Sequence, residues 1–298
     1  MKKIIVITGP TASGKTALAV QLAQILKTDI ISADSRQFYR EMHIGTAVPN
    51  KKELAMAKHH FIQHKSIFDD YNVGDYEKDF LTLSQRLFQQ KDILILVGGS
   101  GLYIDAACKG LDVLPGKNEI IRQKLHNDLS KKGIESLQKT LYELDKDYYQ
   151  KIDLQNPYRL IRAIEILLQS EGKSMKELLQ KKEKRSFKTI YIGLNTERKT
   201  LYDRINQRVD KMIQEGLIEE ARKLYPYRDL NALKTVGYRE LFRFFEGEID
   251  LNFAVSEIKK NTRRFAKRQL TWLRKNKQIN WFDINYSLDN ILKTIDNE

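Results

Sequence analysis

Gly9-Pro10-Thr11-Ala12-Ser13-Gly14-Lys15-Thr16 follows directly on the apolar run Ile4-Ile5-Val6-Ile7, and this junction decides the fold. The pattern G-x-x-x-x-G-K-[ST] between a strand and a helix beginning near Lys15 is a phosphate loop. Its glycines let the backbone curl so that successive N–H groups and the positive end of the helix surround a polyphosphate. Lys15 would reach the phosphates and Thr16 would hold Mg²⁺. The motif identifies a phosphate site without naming the molecule that carries the phosphate. A nucleotide kinase, an NTPase and a pyrophosphate-using transferase all stay open at this point.

Working outward, Asp29-Ile30-Ile31-Ser32 and Ile93-Leu94-Ile95-Leu96-Val97 read as further buried strands, each after a helix-length segment. Thr189 to Leu194 and Ile279 to Phe282 complete the set. This alternation predicts an α/β fold, a doubly wound, mostly parallel sheet. Between them, amphipathic Lys- and Glu-rich patterns such as Glu119 to Lys131 and Pro157 to Ser170 predict an inserted all-helical domain. The expected division is 1–114 and 189–298 for the phosphate-loop core and 115–188 for the insertion, with the charged turn at 181–185 returning the chain to the sheet. Thr196 to Tyr225 and Asn252 to Asn276 read as long helices.

Ligands of such sheets bind outside the carboxyl ends of the strands. Asp34 ends the second strand and is a candidate general base or metal partner, with helix capping as the alternative. Gly98-Gly99-Ser100 ends the third, where an ATPase would commonly carry a Walker B acid. Arg204 and Arg208, one turn apart, could clamp phosphate oxygens, but their spacing favours pairing with Asp203 and Asp210. Lys234-Thr235-Val236-Gly237-Tyr238-Arg239 mixes a glycine, an aromatic ring and cations, which suits base stacking or a loop entering a helix. His60 and His64 stand at i, i+4 and could meet a metal on a helix.

A formal charge of +13 is enough to attract a polyanion. It clusters in Lys259 to Lys277, which holds nine basic residues and no acidic one. As a helix, Ile258, Phe265, Trp272 and Leu273 fall on a side that packs against the protein, while Lys260, Arg264, Lys267 and Arg274 face outward as a solvated or nucleic-acid-binding surface. The single Cys108 excludes an internal disulfide and reads as a small buried residue. The short apolar start ends at Thr8-Gly9-Pro10, and no run reaches membrane-spanning length, so a cytoplasmic protein is expected, with no membrane partner and as a monomer.

Taken in order, GPTASGKT at 9–16, ADSRQFY at 33–39, IGTAVP at 44–49, HHFI at 59–62, LVGGSGLY at 96–103, NPYRLIRAIEI at 156–166, VGYRE at 236–240 and AKRQLTWLR at 266–274 resemble the tRNA dimethylallyltransferases nearly end to end. The resemblance implies transfer of a dimethylallyl group from dimethylallyl pyrophosphate to the exocyclic N6 amine of the adenine 3′ of the anticodon, in tRNAs reading codons that begin with U. It implies a phosphate loop at Gly9, Pro10, Thr11, Ala12, Ser13, Gly14, Lys15 and Thr16 that holds the leaving pyrophosphate with Mg²⁺. Asp34 matches the family's catalytic aspartate, and Arg208 the arginine that contacts pyrophosphate. Contact with the tRNA anticodon stem-loop is implied for Asp34, Ser35, Arg36, Gln37, Ser100, Arg122, Tyr158, Arg159, Leu160, Ile161, Arg162, Lys234, Thr235, Val236, Gly237, Tyr238 and Arg239. His43 and Val48 depart from the commoner pattern, which frequently has an acid and a lysine there. The zinc-finger extension of eukaryotic relatives is missing, which points to the bacterial form.

Overall fold

The computed structural model describes residues 1–179 and 184–298, so most of the charged turn expected at 181–185 lies outside the described residues. Six strands form one sheet: β1 (Lys3–Thr8), β2 (Ile30–Ser32), β3 (His59–His60), β4 (Ile93–Val97), β5 (Lys188–Asn195) and β6 (Ile279–Asp283). Their order is β3-β2-β4-β1-β5-β6, and every pairing is parallel. Parallel strands need both faces covered. The side chains obey this by alternation: Ile4, Val6, Leu94 and Leu96 point into one core, and Ile5, Ile7, Ile95, Ile190 and Ile192 into the other. The helix Lys15–Ile25 covers the second face with Leu18, Ala19 and Leu22. The helix Val73–Leu87 covers the first with Tyr76, Phe80 and Leu83. Among the described residues, no helix is long and apolar enough to cross a membrane.

The chain divides into two compact units, 1–108 with 185–298, and 109–184. The second is built of helices and has its own core around Leu137, Leu141, Leu160, Ile164 and Leu167. Glu165 lies in it fully buried, but Arg122 (2.8 and 3.0 Å), Arg162 (2.6 Å) and the Asn118 N–H (2.7 Å) all donate to its carboxylate. A buried charge is tolerable only with such partners.

Two expectations change. The helix expected over Thr196 to Tyr225 is two helices, Arg198–Gln214 and Leu217–Leu224, because Gly216 takes φ +100°. That left-handed geometry stops a helix, and glycine adopts it without a Cβ penalty. His60 sits on the two-residue strand β3 and His64 in the loop after it, neither on a helix, and so short a strand shows no period in the sequence. His60 pairs with Asp29 at 2.8 Å, and no group of three or more His, Cys, Asp and Glu gathers for a metal among the described residues. Cys108 is buried, as expected.

Candidate active site

The phosphate loop forms as the sequence requires, with Gly14 at φ +89° handing the chain to the helix at Lys15. Lys15 lies partly buried and its ammonium donates to the Pro10 carbonyl at 2.6 Å. Burial pulls its pKa down to about 7, nearby Arg208 adds to the fall, and Asp34 opposes it. The hydroxyl of Ser13 is buried with no hydrogen-bond partner. A loop with a destabilised cation and an unsatisfied hydroxyl is arranged for an anion.

Strand order places β2 beside β4, and β4 beside β1, so Asp34 comes up next to the loop. Its carboxylate accepts the Arg36 N–H at 3.0 Å within a turn, and no helix follows for it to cap; the same side chain also faces the cavity. Ser35 and Ser100 tie the two strand ends together, N–H to hydroxyl at 3.1 Å and hydroxyl to hydroxyl at 3.2 Å. Gln37 donates to the Ala47 carbonyl at 2.9 Å and Arg36 to those of Asn231 and Ala232 at 3.1 and 3.0 Å.

Arg208 does not pair with Asp210. It donates to the Thr11 hydroxyl at 3.1 Å, while Asp210 takes Lys259 at 2.6 Å. The spacing argument fails here because the helix Arg198–Gln214 turns Arg208 toward the loop. Burial lowers the Arg208 pKa from its ordinary value, with Asp34 and Glu53 pulling the other way.

These groups share one cavity of about 1320 Å³, lined by the loop, by Asp34 to Gln37, by 43–50, by Gly99 to Tyr103, and by Lys234 to Gly237 with Arg239. Eight Lys and Arg and three carboxylates line it, so its field is positive. Phe265 and Trp272 of the helix Leu251–Leu273 line it as well, at 39% and 40% exposure. Of the four apolar residues expected to pack on the protein body, Ile258 and Leu273 are on the buried face with Ala254, Ala266 and Gln269, while Trp272 lies against Gly101 at the cavity wall and Phe265 is left exposed.

Not every expected contact residue has surface to offer. Tyr238 is fully buried, and its hydroxyl donates to Glu220 at 2.7 Å, so it stacks on no base. Leu160 and Ile161 are core residues of the helical unit, whereas Tyr158 is 78% exposed. Arg122 and Arg162 spend guanidinium hydrogen bonds on Glu165, and Arg162 also donates to the Pro115 carbonyl at 2.7 Å.

Two residues that the sequence reading missed organise the cavity. Glu220 accepts the N–H groups of His43, Ile44 and Gly45 at 3.0, 2.8 and 3.0 Å, pinning one wall. That pinning uses the backbone of residue 43, so it does not depend on an acid there. Gln269 accepts the Thr11 N–H and donates to the Gly99 carbonyl, both at 2.9 Å. A lone glutamine in the apolar stripe Ile258, Ala266, Leu273 was its only sequence signal.

The model of the IPP transferase family matches residues 37–276. The chain is 56% identical over 296 residues to the tRNA dimethylallyltransferase of Christiangramia forsetii, covering 99% of this chain and 98% of that one. It is 52% identical to that of Flavobacterium johnsoniae, over 99% and 100%. Among solved structures, a tRNA isopentenylpyrophosphate transferase from Bacillus halodurans superposes with a TM-score of 0.73 at 36% identity, over 100% of this chain and 95% of that one. A eukaryotic dimethylallyltransferase acting on tRNA gives 0.81 at 25% identity, over 95% and 74%. With the phosphate loop, Asp34 and Arg208 meeting at one cavity, the chain belongs to the tRNA dimethylallyltransferase family of prenyltransferases.

Proposed function

We propose that this chain transfers a dimethylallyl group from dimethylallyl pyrophosphate to the N6 amine of the adenine 3′ of the anticodon in tRNAs reading U-starting codons, releasing pyrophosphate. The observation that carries the reading is the convergence of Asp34, Lys15 and Arg208 on one cationic cavity. An exocyclic amine conjugated to its ring is a poor nucleophile, so the reaction needs a base at the amine and stabilisation of the departing pyrophosphate. Asp34 takes the amine proton. The loop N–H groups, Lys15 and Arg208 hold the pyrophosphate as the allylic C–O bond breaks and the C–N bond forms.

Thr16, in the first helical turn, with the orphaned Ser13 hydroxyl nearby in the loop, offers hard oxygen donors that fit Mg²⁺, an ion that takes few protein ligands beside substrate phosphates. When bound, Mg²⁺ would neutralise charge on the pyrophosphate. For tRNA, the groups on offer are the half-buried Ser35, Arg36, Gln37 and Ser100 and the exposed Lys234 and Arg239 around the cavity, and the exposed Tyr158 and Arg159 on the helical unit, supported by the positive lining. The adenine would reach the donor flipped out of its stack. We place the protein in the cytoplasm, as a monomer.

The test is mass spectrometry of an unmodified U-rich-anticodon tRNA after incubation with dimethylallyl pyrophosphate. The expected product carries the prenyl group on that adenine without ATP. Robust ATP turnover independent of tRNA, with no prenylated adenine, refutes the reading.

A further inference from the structure

Two cavity residues of the helix Leu251–Leu273, Phe265 and Trp272, have no use in the chemistry above. They lie one turn on either side of Gln269, which touches the phosphate loop. Each ring has a cation three positions further on. The Arg268 guanidinium lies 5.9 Å from the Phe265 ring centroid, and the Lys275 ammonium 5.7 Å from that of Trp272. Both cations are exposed, and neither has a carboxylate partner among the described residues. One ring–cation unit is thus repeated after seven residues, two helical turns or about 10.5 Å along the axis.

The Trp272 ring is fixed in place. Its Nε1–H donates to Asp105 at 3.2 Å, and a Cβ on Gly101 would stand 2.2 to 2.9 Å from atoms of its five-membered ring, so the indole lies directly on the Gly101 backbone. Gly101 follows Ser100, whose hydroxyl meets that of Ser35 next to Asp34, so this ring stands on the Asp34 side of the cavity. Ser13 in the loop is buried, whereas rings about two-fifths exposed belong to the mouth rather than to the reacting end. We propose that the two units seat unpaired bases of the RNA loop that flank the adenine to be modified, base on ring and backbone phosphate on cation. Every base offers a π-face, and the unpaired cation beside each ring matches a polyanion. A flipped adenine leaves its neighbours with an unstacked face, which a ring at the mouth covers. The proposal rests on the tRNA reading above.

The experiment uses a Trp281→Phe protein, in which Trp272 is the only tryptophan, and an unmodified anticodon stem-loop RNA. Stacking on a base quenches indole emission, so titration with the RNA should quench it, and an RNA lacking a base beside the target adenine should not. Trp272→Leu keeps apolar cover on Gly101 without a π-face. Its KM for the RNA should rise about tenfold or more with kcat within about twofold, and the salt slope of binding should stay as it was. Trp272→Phe keeps a ring without the Asp105 bond and should stay within about threefold of wild type. Phe265→Leu should act as Trp272→Leu does. Emission unchanged by an RNA that the protein prenylates overturns the proposal, whether or not the other variants fold. So does quenching lost only when the target adenine itself is removed, an unchanged KM in a Trp272→Leu protein that melts with the wild type, or a Trp272→Phe loss equal to that of Trp272→Leu. A wild type that neither binds nor prenylates the RNA fails differently, removing the tRNA reading itself.

Discussion

Glu220→Gln isolates how much the pinned wall at 43–45 contributes. In the native protein Oε2 accepts the His43 and Ile44 N–H groups and Oε1 accepts the Gly45 N–H and the Tyr238 hydroxyl. Burial, with the carboxylate beside it, raises the Tyr238 pKa, so that hydroxyl stays a donor. A carboxamide has one acceptor oxygen and one donor NH₂. Its better orientation leaves oxygen toward His43 and Ile44 and NH₂ toward Gly45 and Tyr238. The Tyr238 hydroxyl can turn and accept; the Gly45 N–H cannot. The stranded N–H costs about 1–3 kcal/mol, and the two remaining bonds lose their charge assistance, roughly half their strength. The sum is about 2–4 kcal/mol of lost stability, read by urea unfolding. Because the wall lines the cavity, KM for the donor should rise with it. Tyr238→Phe is the calibrating variant. It leaves the three N–H bonds intact and should cost only about 1 kcal/mol. A Glu220→Gln protein within about 0.5 kcal/mol of wild type, with unchanged KM, would refute the claim that this carboxylate holds the wall.

Asp34→Asn keeps an acceptor for the Arg36 N–H but cannot take a proton, so single-turnover rates should fall by about 10²-fold while tRNA affinity is kept; equal losses of both would make Asp34 a recognition residue. Lys15, lowered to about 7, is charged below that pH and neutral above it in the free site, so donor affinity should be flat below pH 7 and fall by up to about tenfold per pH unit above it. Calorimetry in buffers of different ionisation enthalpy should show a proton taken up on binding above pH 7. The same depression makes the unfolded chain hold a proton the native one lacks between about 7 and the ordinary 10.5, so this group makes folding stability rise with pH across that window. Exposed Lys267→Ala should reduce the salt slope of tRNA affinity by about one, and an unchanged slope would take the basic helix out of the interface.

Some of the site was legible one residue at a time. The loop at 9–16 and Asp34 could be placed because a strand end, a turn and a helix start are local events, fixed by φ and by side-chain period over a few positions. The site's remaining geometry comes from partners far apart in the chain. Arg208 reaches Thr11 across 197 positions and Gln269 across 258, and the nearness in sequence of Asp203 and Asp210 points Arg208 at the wrong partner. Tyr238 looked like a stacking ring because an aromatic beside a glycine and cations carries the same local pattern whether it faces solvent or, as here, the core. Gly216 looked like an ordinary position within a helix because a left-handed φ is not written in the identity of one glycine.

The sequence by itself determined the sheet, the phosphate loop and the chemistry expected of it, since alternating burial and a glycine-shaped turn are properties of adjacent residues. Only the tertiary structure decided what surrounds the loop: Arg208 on its threonine, Gln269 bridging Thr11 and Gly99, and Glu220 holding the opposite wall. Those contacts depend on how elements hundreds of positions apart pack, and hydrogen-bond geometry across such distances leaves no periodic trace in the chain.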